Sequence, residues 1–597
     1  MNKFVVGLVG SVFLLIFNTR SALAQKDEKL PRIIFTPLAQ QFPTQATAKH
    51  LGRGEVKINL DTRSFFLPDL VGAAVDDDDS AVNFNTGFSW GITDQLQLTL
   101  QFQHVDSSSP VEQGDFVSER TEDNEAAIEL KYNLWHNQAK TQGLSGIVAA
   151  SWGTRGFLFT REGEETEINN RDIFVSLAVP FSTDVGDRWQ FNLSPTVAFF
   201  KDESAVFFHR LPGSNESFGT VLGLGGGVNF KINSRLFIFS DVFLPLTGNN
   251  SINRDSGEPD KAIAYNAGLR FLTNPRLALD VYATNTFASY APLSLTADRD
   301  FVGLGANLVF MPDVISANRK YRNTSTDSAD TKYFTTDGLA FFDGGTVPSG
   351  EFVFNLQGGS QGISTALRYG VLQDFEGGIF LDYIRGDIDE SEQGISGKVR
   401  FLNQAKNSPF TLSGAATVSL TNEPFINFVR NDASAFERRN LDKSVPIFTP
   451  GGDDGDRGKF LILTLSLPMQ YEISQGTAVW FTPILGYAQR QGLEIAGFNL
   501  GGSLALSQEF RAIAEVGANF AEEGNSLVDG RRENKIPWTV GVKWLPLSLF
   551  GKEVSNNNSD PALKLYVTNR VGSSTWHQLR VREDNNTAVG VDISIPF

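Results

Sequence analysis

Apolar and polar residues alternate along most of this chain. The clearest stretch is Gln95 to Gln103, where Leu96, Leu98, Leu100 and Phe102 fall on one side and Gln95, Gln97, Thr99, Gln101 and Gln103 on the other. A period of two predicts a strand with one apolar and one polar face. Amides cannot sit unpaired in a dry core. The row Gln97, Thr99, Gln101 and Gln103 is therefore expected to line or fill a wet interior. The same alternation predicts twelve strands between residues 55 and 310, and about twelve more between 350 and 597.

The connections between the first twelve also alternate. Tight turns are expected at 92–94, 183–187, 232–235 and 273–274, and long polar loops at 66–79, 106–123, 154–171, 202–216, 247–261 and 286–300. Short turns on one rim and long loops on the other are the habit of transmembrane β-barrels. Mean hydropathy is only −0.15, and after the N-terminal segment no run of about 18 apolar residues predicts a membrane helix. Barrel strands, short and half apolar, need no such run.

The two halves echo each other in order. Gly54-Glu-Val-Lys-Ile-Asn-Leu60 matches Gly350-Glu-Phe-Val-Phe-Asn-Leu356, and Trp90-Gly91 matches Tyr369-Gly370. Ala278 to Asn285 matches Ala562 to Asn569, and Phe301 to Phe310 matches Ala588 to Phe597 with Gly303 set on Gly590. Ordered matches argue for one unit used twice. The expected fold is all-β, a transmembrane antiparallel barrel of about 24 strands, as two tandem 12-strand barrels or alternatively one large 24-strand barrel. Separate lead-ins and a joiner of about 39 residues favour two closures. The expected divisions are a signal peptide (1–24), a periplasmic lead-in or partial plug (25–53), a first barrel (54–311), a linker with a second lead-in (312–349) and a second barrel (350–597).

The N-terminus reads as a secretory signal: Lys3, an apolar core from Phe4 to Phe17, and Ala22-Leu23-Ala24 before a mature start near Gln25. The chain ends on a strand with Val589, Val591, Ile593, Ile595 and Phe597 on its apolar face. With the signal, the hairpin rhythm and that terminal Phe597, the chain resembles the outer-membrane β-barrel proteins of Gram-negative bacteria; the tone of its strands is similar to cyanobacterial ones. The resemblance implies an outer-membrane location, contact with outer-membrane lipid and lipopolysaccharide, and recognition of the C-terminal strand by the barrel-assembly machinery.

Chemistry adds little to this picture. The 597 residues carry no cysteine, hence neither disulfide nor thiolate metal site. A formal charge of −17 argues against nucleic acid as a partner. No pair among His50, His104, His136, His209 and His577 has a metal-ligand spacing, and there is no nucleophile elbow or phosphate loop. No catalytic, cofactor or metal residues are assigned, and an enzyme is not expected. Acidic runs at Asp76 to Asp79, Arg161 to Glu167 and Gly451 to Asp456 read as solvated loop charge. The long segment from Thr421 to Arg457, which carries Phe425, Phe428, Phe436 and Phe448 with Arg430, Arg438 and Arg439, reads as a constriction or a surface loop. The leading functional expectation is a channel or passive transporter for small solutes. The alternatives are a non-conducting structural or export-accessory protein, related for example to surface polysaccharide, and a membrane hydrolase.

Overall fold

The computed structural model describes residues 37–65, 81–106, 112–113, 116–161, 164–200, 218–252, 259–289, 292–299, 302–321, 343–384, 391–406, 408–421, 460–474, 476–488, 493–521, 524–529, 531–546 and 561–596. The chain divides into two compact units, residues 1–323 and 324–597. Each unit is a closed antiparallel barrel of twelve strands. In the first, Val56–Phe65 pairs with Ala81–Gly91 on one side and with the last strand, Gly303–Phe310, on the other. In the second, Phe352–Gly359 pairs with the last strand, Ala588–Pro596, from Val353↔Pro596 to Gly359↔Gly590. Two separate seams exclude the single 24-strand alternative.

The alternation read in the sequence decides which side of each wall a residue faces. Phe102 is 52% exposed while its neighbour Gln103 is 2% exposed. Large apolar side chains cover the outsides, among them Leu60, Phe84, Leu100, Ile128 and Trp152 on the first barrel and Ile363, Ile379, Ile395, Leu465 and Leu565 on the second. A ring of exposed apolar residues around a sheet without edges suits hydrocarbon, because every backbone group is already paired within the wall. Each barrel carries an aromatic pair near its short-turn rim. Trp189 packs 4.4 Å from Phe230 on the first barrel, and Phe352 lies 4.4 Å from Tyr369 on the second. No helix of the described residues is long and apolar enough to cross a membrane.

Both barrels break their sixth strand at a proline, which cannot donate to the ladder. Glu164–Ala178 resumes as Phe181–Val185 after Pro180, and Phe460–Ser466 resumes as Met469–Ser474 after Pro468. Each break faces a second proline on the next strand. Val179 N donates to Pro195 O at 3.0 Å, and Leu467 N donates to Pro483 O at 3.1 Å. The strand starts also agree: Gly54 N donates to Gly91 O at 2.7 Å and Gly350 N to Gly370 O at 2.8 Å.

Two expectations are corrected here. The stretches 106–123 and 154–171 are for the most part strand rather than loop, because Phe116–His136, Gln142–Arg161 and Glu164–Ala178 run through them. A backbone ladder needs no apolar side chains, so a hairpin can continue through a polar stretch. The closing strands are also offset by two residues from the sequence match. Tyr282 lies opposite Gly305 and Tyr566 opposite Gly590, so Gly305, not Gly303, corresponds to Gly590. A Cβ on either glycine would strike the tyrosine ring. A two-residue slip keeps every side chain on its own face, so alternation alone cannot detect it.

Because each barrel closes on itself, residues 25–323 expressed alone are expected to fold and to show heat-modifiable gel mobility in detergent. A half-chain that stays unfolded while the full chain folds would count against two independent closures.

Candidate functional site

The interior of the first barrel is occupied by the chain itself. The residues expected to precede it as a lead-in form, over their described part, a plug. Leu38, Ala39, Phe42, Thr44, Gln45, Thr47, Ala48 and Leu51 are all buried. The plug is held largely through its backbone by inward side chains: Asn229 Nδ2 donates to Ala39 O at 3.3 Å, Arg270 Nη1 to Gln41 O at 2.8 Å, Asn192 Nδ2 to Ala46 O at 2.8 Å, and Ser145 Oγ to Ala48 O at 2.9 Å. Thr44 Oγ1 donates to Asp241 Oδ1 at 2.5 Å, and Lys57 Nζ to Gln41 Oε1 at 2.6 Å. A segment without regular structure can sit in a lumen only if its polar groups are met in this way.

From the long-loop side, residues 285–289 and 292–299 also turn inward, with Phe287, Ala288, Leu293, Leu295 and Ala297 buried in an apolar cluster with Phe174, Phe218 and Phe243. The two intruding segments meet at Arg63, which is fully buried. Its Nε pairs with Asp61 Oδ2 at 2.9 Å. Its Nη1 donates to Thr286 O at 2.8 Å and Ala288 O at 3.0 Å, while Nη2 reaches Ser289 Oγ at 2.6 Å and Pro43 O at 3.5 Å. One planar, five-donor head thus joins the wall, the plug and the inward loop.

The predicted polar row lies on this inner wall. Gln97, Thr99, Gln101 and Gln103 are all buried. Gln97 Oε1 accepts from Leu51 N at 2.9 Å, Thr99 Oγ1 lies 3.1 Å from Ser89 Oγ, and Gln103 Nε2 donates to Phe287 O at 3.2 Å. Beside the plug remains a cavity of about 80 Å³ lined by Lys57, Gln97, Glu129 and Lys131 among others. That is room for a handful of water molecules. At the short-turn end, His50 Nε2 lies 2.5 Å from Asp94 O, and burial, with Lys131 and Lys140 near it, lowers the imidazole pKa.

The second barrel repeats the plan. Its described lead-in enters the lumen: Lys398 Nζ donates to Asp343 O at 3.1 Å, Ser413 Oγ to Gly344 O at 2.8 Å, and Val347 N to Glu376 Oε2 at 2.6 Å. From the other end, residues 569–587 turn inward as a short helix, Thr575–Leu579, that is buried throughout. Trp576 and Leu579 pack with Ile462, Trp480 and Ile495. Arg570 Nη1 pairs with Glu515 Oε2 at 2.8 Å.

Each inward loop is tied by two asparagines in matching positions. Asn250 Nδ2 donates to Ala262 O at 2.9 Å and Leu295 O at 2.8 Å; Asn525 Nδ2 donates to Lys535 O at 2.9 Å and Leu579 O at 2.7 Å. Asn285 Oδ1 accepts from Tyr265 N at 2.8 Å, and Asn569 Oδ1 from Trp538 N at 2.7 Å.

Sequence spacing did not find a buried cluster in the second lumen. Asp382, on the strand Phe375–Ile384, faces Glu392, on Ser391–Leu402, directly across the strand pair. His577 of the inward helix brings Nδ1 to 2.9 Å from Asp382 Oδ2 and 3.4 Å from Glu392 Oε2. All three side chains are fully buried. The histidine is remote in sequence from both acids, so no local motif could have marked it. A period-two reading of the two strands would at most have put both carboxylates inside.

At the other end of the chain, Val589, Val591, Ile593 and Ile595 face outward, and Phe597 lies outside the described residues. The acidic run 76–79, residues 451–456, and the segment 421–457 beyond Thr421 lie outside them too.

No family model matches the chain, and no curated protein matches it. Solved structures that resemble it include an outer-membrane channel from Pseudomonas putida F1, 14% identical over 45% of this chain and 98% of that one, at a TM-score of 0.28. The KdgM porin is 9% identical over 42% of this chain and 98% of its own, at 0.25. The siderophore receptor PirA from Pseudomonas aeruginosa is 8% identical over 92% and 81%, at 0.20. Likenesses this faint lend no weight to any function.

Two substitutions test this interior. Arg63→Met should cost about 3–5 kcal/mol of unfolding free energy, since it leaves Asp61 buried with its cation removed. Urea titration followed by tryptophan fluorescence would measure it, and a loss below about 1 kcal/mol would remove Arg63 from its joining role. Asn525→Ala should cost about 1–3 kcal/mol by stranding the carbonyls of Lys535 and Leu579. It should also expose 569–587 to protease before the barrel itself is cut.

Proposed function

We propose that this chain is a bacterial outer-membrane transport protein whose two barrels are each closed at rest by segments of the chain itself. On this reading the protein arose by duplication of one twelve-strand unit. It is exported with loss of a signal peptide near Gln25 and recognised by the barrel-assembly machinery through Val589, Val591, Ile593, Ile595 and Phe597. It then sits among outer-membrane lipid and lipopolysaccharide. The shared proline breaks, paired asparagines and tyrosine-over-glycine contacts support the duplication.

The observation that carries the transport reading is the polar middle of the first plug. From Gln40 to Thr47, Phe42 apart, it is held mainly by hydrogen bonds to side chains that water could replace, and it borders a cavity that Lys57, Gln97, Glu129 and Lys131 help to line. Exchange of such bonds for bonds to water costs little net free energy. Displacement of this segment would open a narrow polar passage for small solutes past Gln97, Thr99, Gln101 and Gln103.

A second reading, a non-conducting structural or export-accessory protein, draws on the apolar anchoring of both inward loops and on the Arg63 joint. A hydrolase has little support. Ser574, which caps the helix that carries His577, gives its hydroxyl to Glu392 rather than to the imidazole.

Planar-bilayer conductance separates the first two. The full chain should give small or rare steps. A chain lacking residues 37–51 should give steps several-fold larger. If that variant folds, judged by gel mobility, yet conducts no more than the full chain, the transport reading falls and the structural one stands.

A further inference from the structure

We propose that Asp382, Glu392 and His577 form a divalent metal site inside the second barrel, binding a borderline ion of the zinc type and fastening the inward helix to the wall.

Three observations lead there. The first is geometric. One ligand atom from each residue lies within 4.8 Å of the other two, and the edges from His577 Nδ1 measure 2.9 and 3.4 Å. An ion held by nitrogen and oxygen at about 2.0–2.2 Å in tetrahedral array sets its ligands about 3.3–3.6 Å apart. The second concerns hydrogen-bond capacity. A ring nitrogen carries at most one hydrogen, which can serve one acceptor well. Here the same Nδ1 faces carboxylates from two residues: a proton on it serves Asp382 Oδ2 and leaves Glu392 Oε2 to the Ser574 hydroxyl, whereas a shared cation would hold both.

The third is charge. Like charges directly opposite on paired strands repel, and buried charge must be compensated. Asp382 and Glu392 are opposite, buried, and paired with no lysine or arginine among the described residues; His577 is their one cationic partner. A proton on the imidazole would still leave the cluster with one net negative charge. A divalent ion with a neutral imidazole brings it to zero.

The surroundings hold the ligands ready. Asp382 Oδ2 accepts from Ser573 N and Ser574 N, each at 2.8 Å, and Oδ1 from Ser573 Oγ at 2.7 Å. Glu392 Oε1 accepts from Ser419 Oγ at 2.5 Å. Donors aimed at carboxylates favour the ionised form that a metal requires and fix its orientation. Gly572 passes so close that a Cβ there would come 2.6 Å from Asp382 Oδ2 and 3.0 Å from His577 Nδ1. The loop therefore crosses the cluster with bare backbone.

The test uses the untagged full chain in detergent, stripped with EDTA and dialysed. Zinc should rebind at one equivalent per chain and raise the temperature at which the folded gel band is lost. Glu392→Gln and His577→Gln should each weaken binding at least tenfold, while His136→Gln, at the exposed end of a strand in the first barrel, should leave it unchanged. Cobalt(II) added to the unaltered chain should give the visible bands of a four- or five-coordinate site, and this readout needs no variant to fold. A cobalt spectrum like that of the ion in water, or stoichiometric zinc that survives both substitutions, overturns the proposal. Neither result depends on whether the barrel conducts, so the site and the transport reading can fail separately.

Discussion

A wall with no edges forces half of its side chains inward, and everything else in this protein answers that constraint. Twelve strands enclose too little room for a wide aqueous bore and too much for the strand side chains alone to fill. The inward residues here are amides, hydroxyls and charges, which need partners once water is squeezed out. The chain supplies those partners from its own backbone. A segment ahead of the first strand and the loop before the last strand enter from opposite rims. In the first barrel they converge on Arg63. Remove the polar lining and these segments would keep only their apolar contacts; remove the segments and the lining would need water.

The charged residues inside follow the same logic. Arg270 meets Asp280 through two nitrogens at 2.6 and 2.7 Å and still reaches the plug at Gln41. Arg400 meets Asp374 at 2.8 Å near the second lead-in. Such buried pairs are poor sources of net stability, yet costly to break singly. Their contribution here is to specify where a structureless segment must lie. Apolar packing alone, as around Phe174 and Phe243, would tolerate a slide of one residue; a guanidinium seated on named carbonyls does not.

Much of this was legible in the sequence because the wall is periodic. The Leu96 to Gln103 alternation locates a strand and assigns its faces, and repeating the exercise finds the staves of both barrels with ends mostly within a few residues. What escaped was whatever lacked a period. The long hairpins at 116–136, 142–161 and 164–178 were cut short because polar stretches look like loops. Gly303 was set on Gly590 because a two-residue slip is invisible to alternation. The stretch ahead of the first strand reads as a lead-in or partial plug, and it is the bonds of residues 37–51 to Asn192, Asn229 and Arg270, far along the chain, that place it in the lumen. His577 meets Asp382 and Glu392 for the same reason, through a chain reversal that no short motif encodes.

The position of the first plug carries a consequence for how this molecule is made. Residues 37–51 precede the opening strand, and the seam cannot zip until Gly303–Phe310 arrives to meet Val56–Phe65. The plug is therefore synthesised long before the vessel that holds it is complete. Threading it afterwards would mean dragging polar backbone into a space already bounded on all sides. The economical order of events is that the wall is drawn around a cord already in place, with Arg63, on the first strand, catching it at the outset. The cord is then a mould for its own container as much as a stopper.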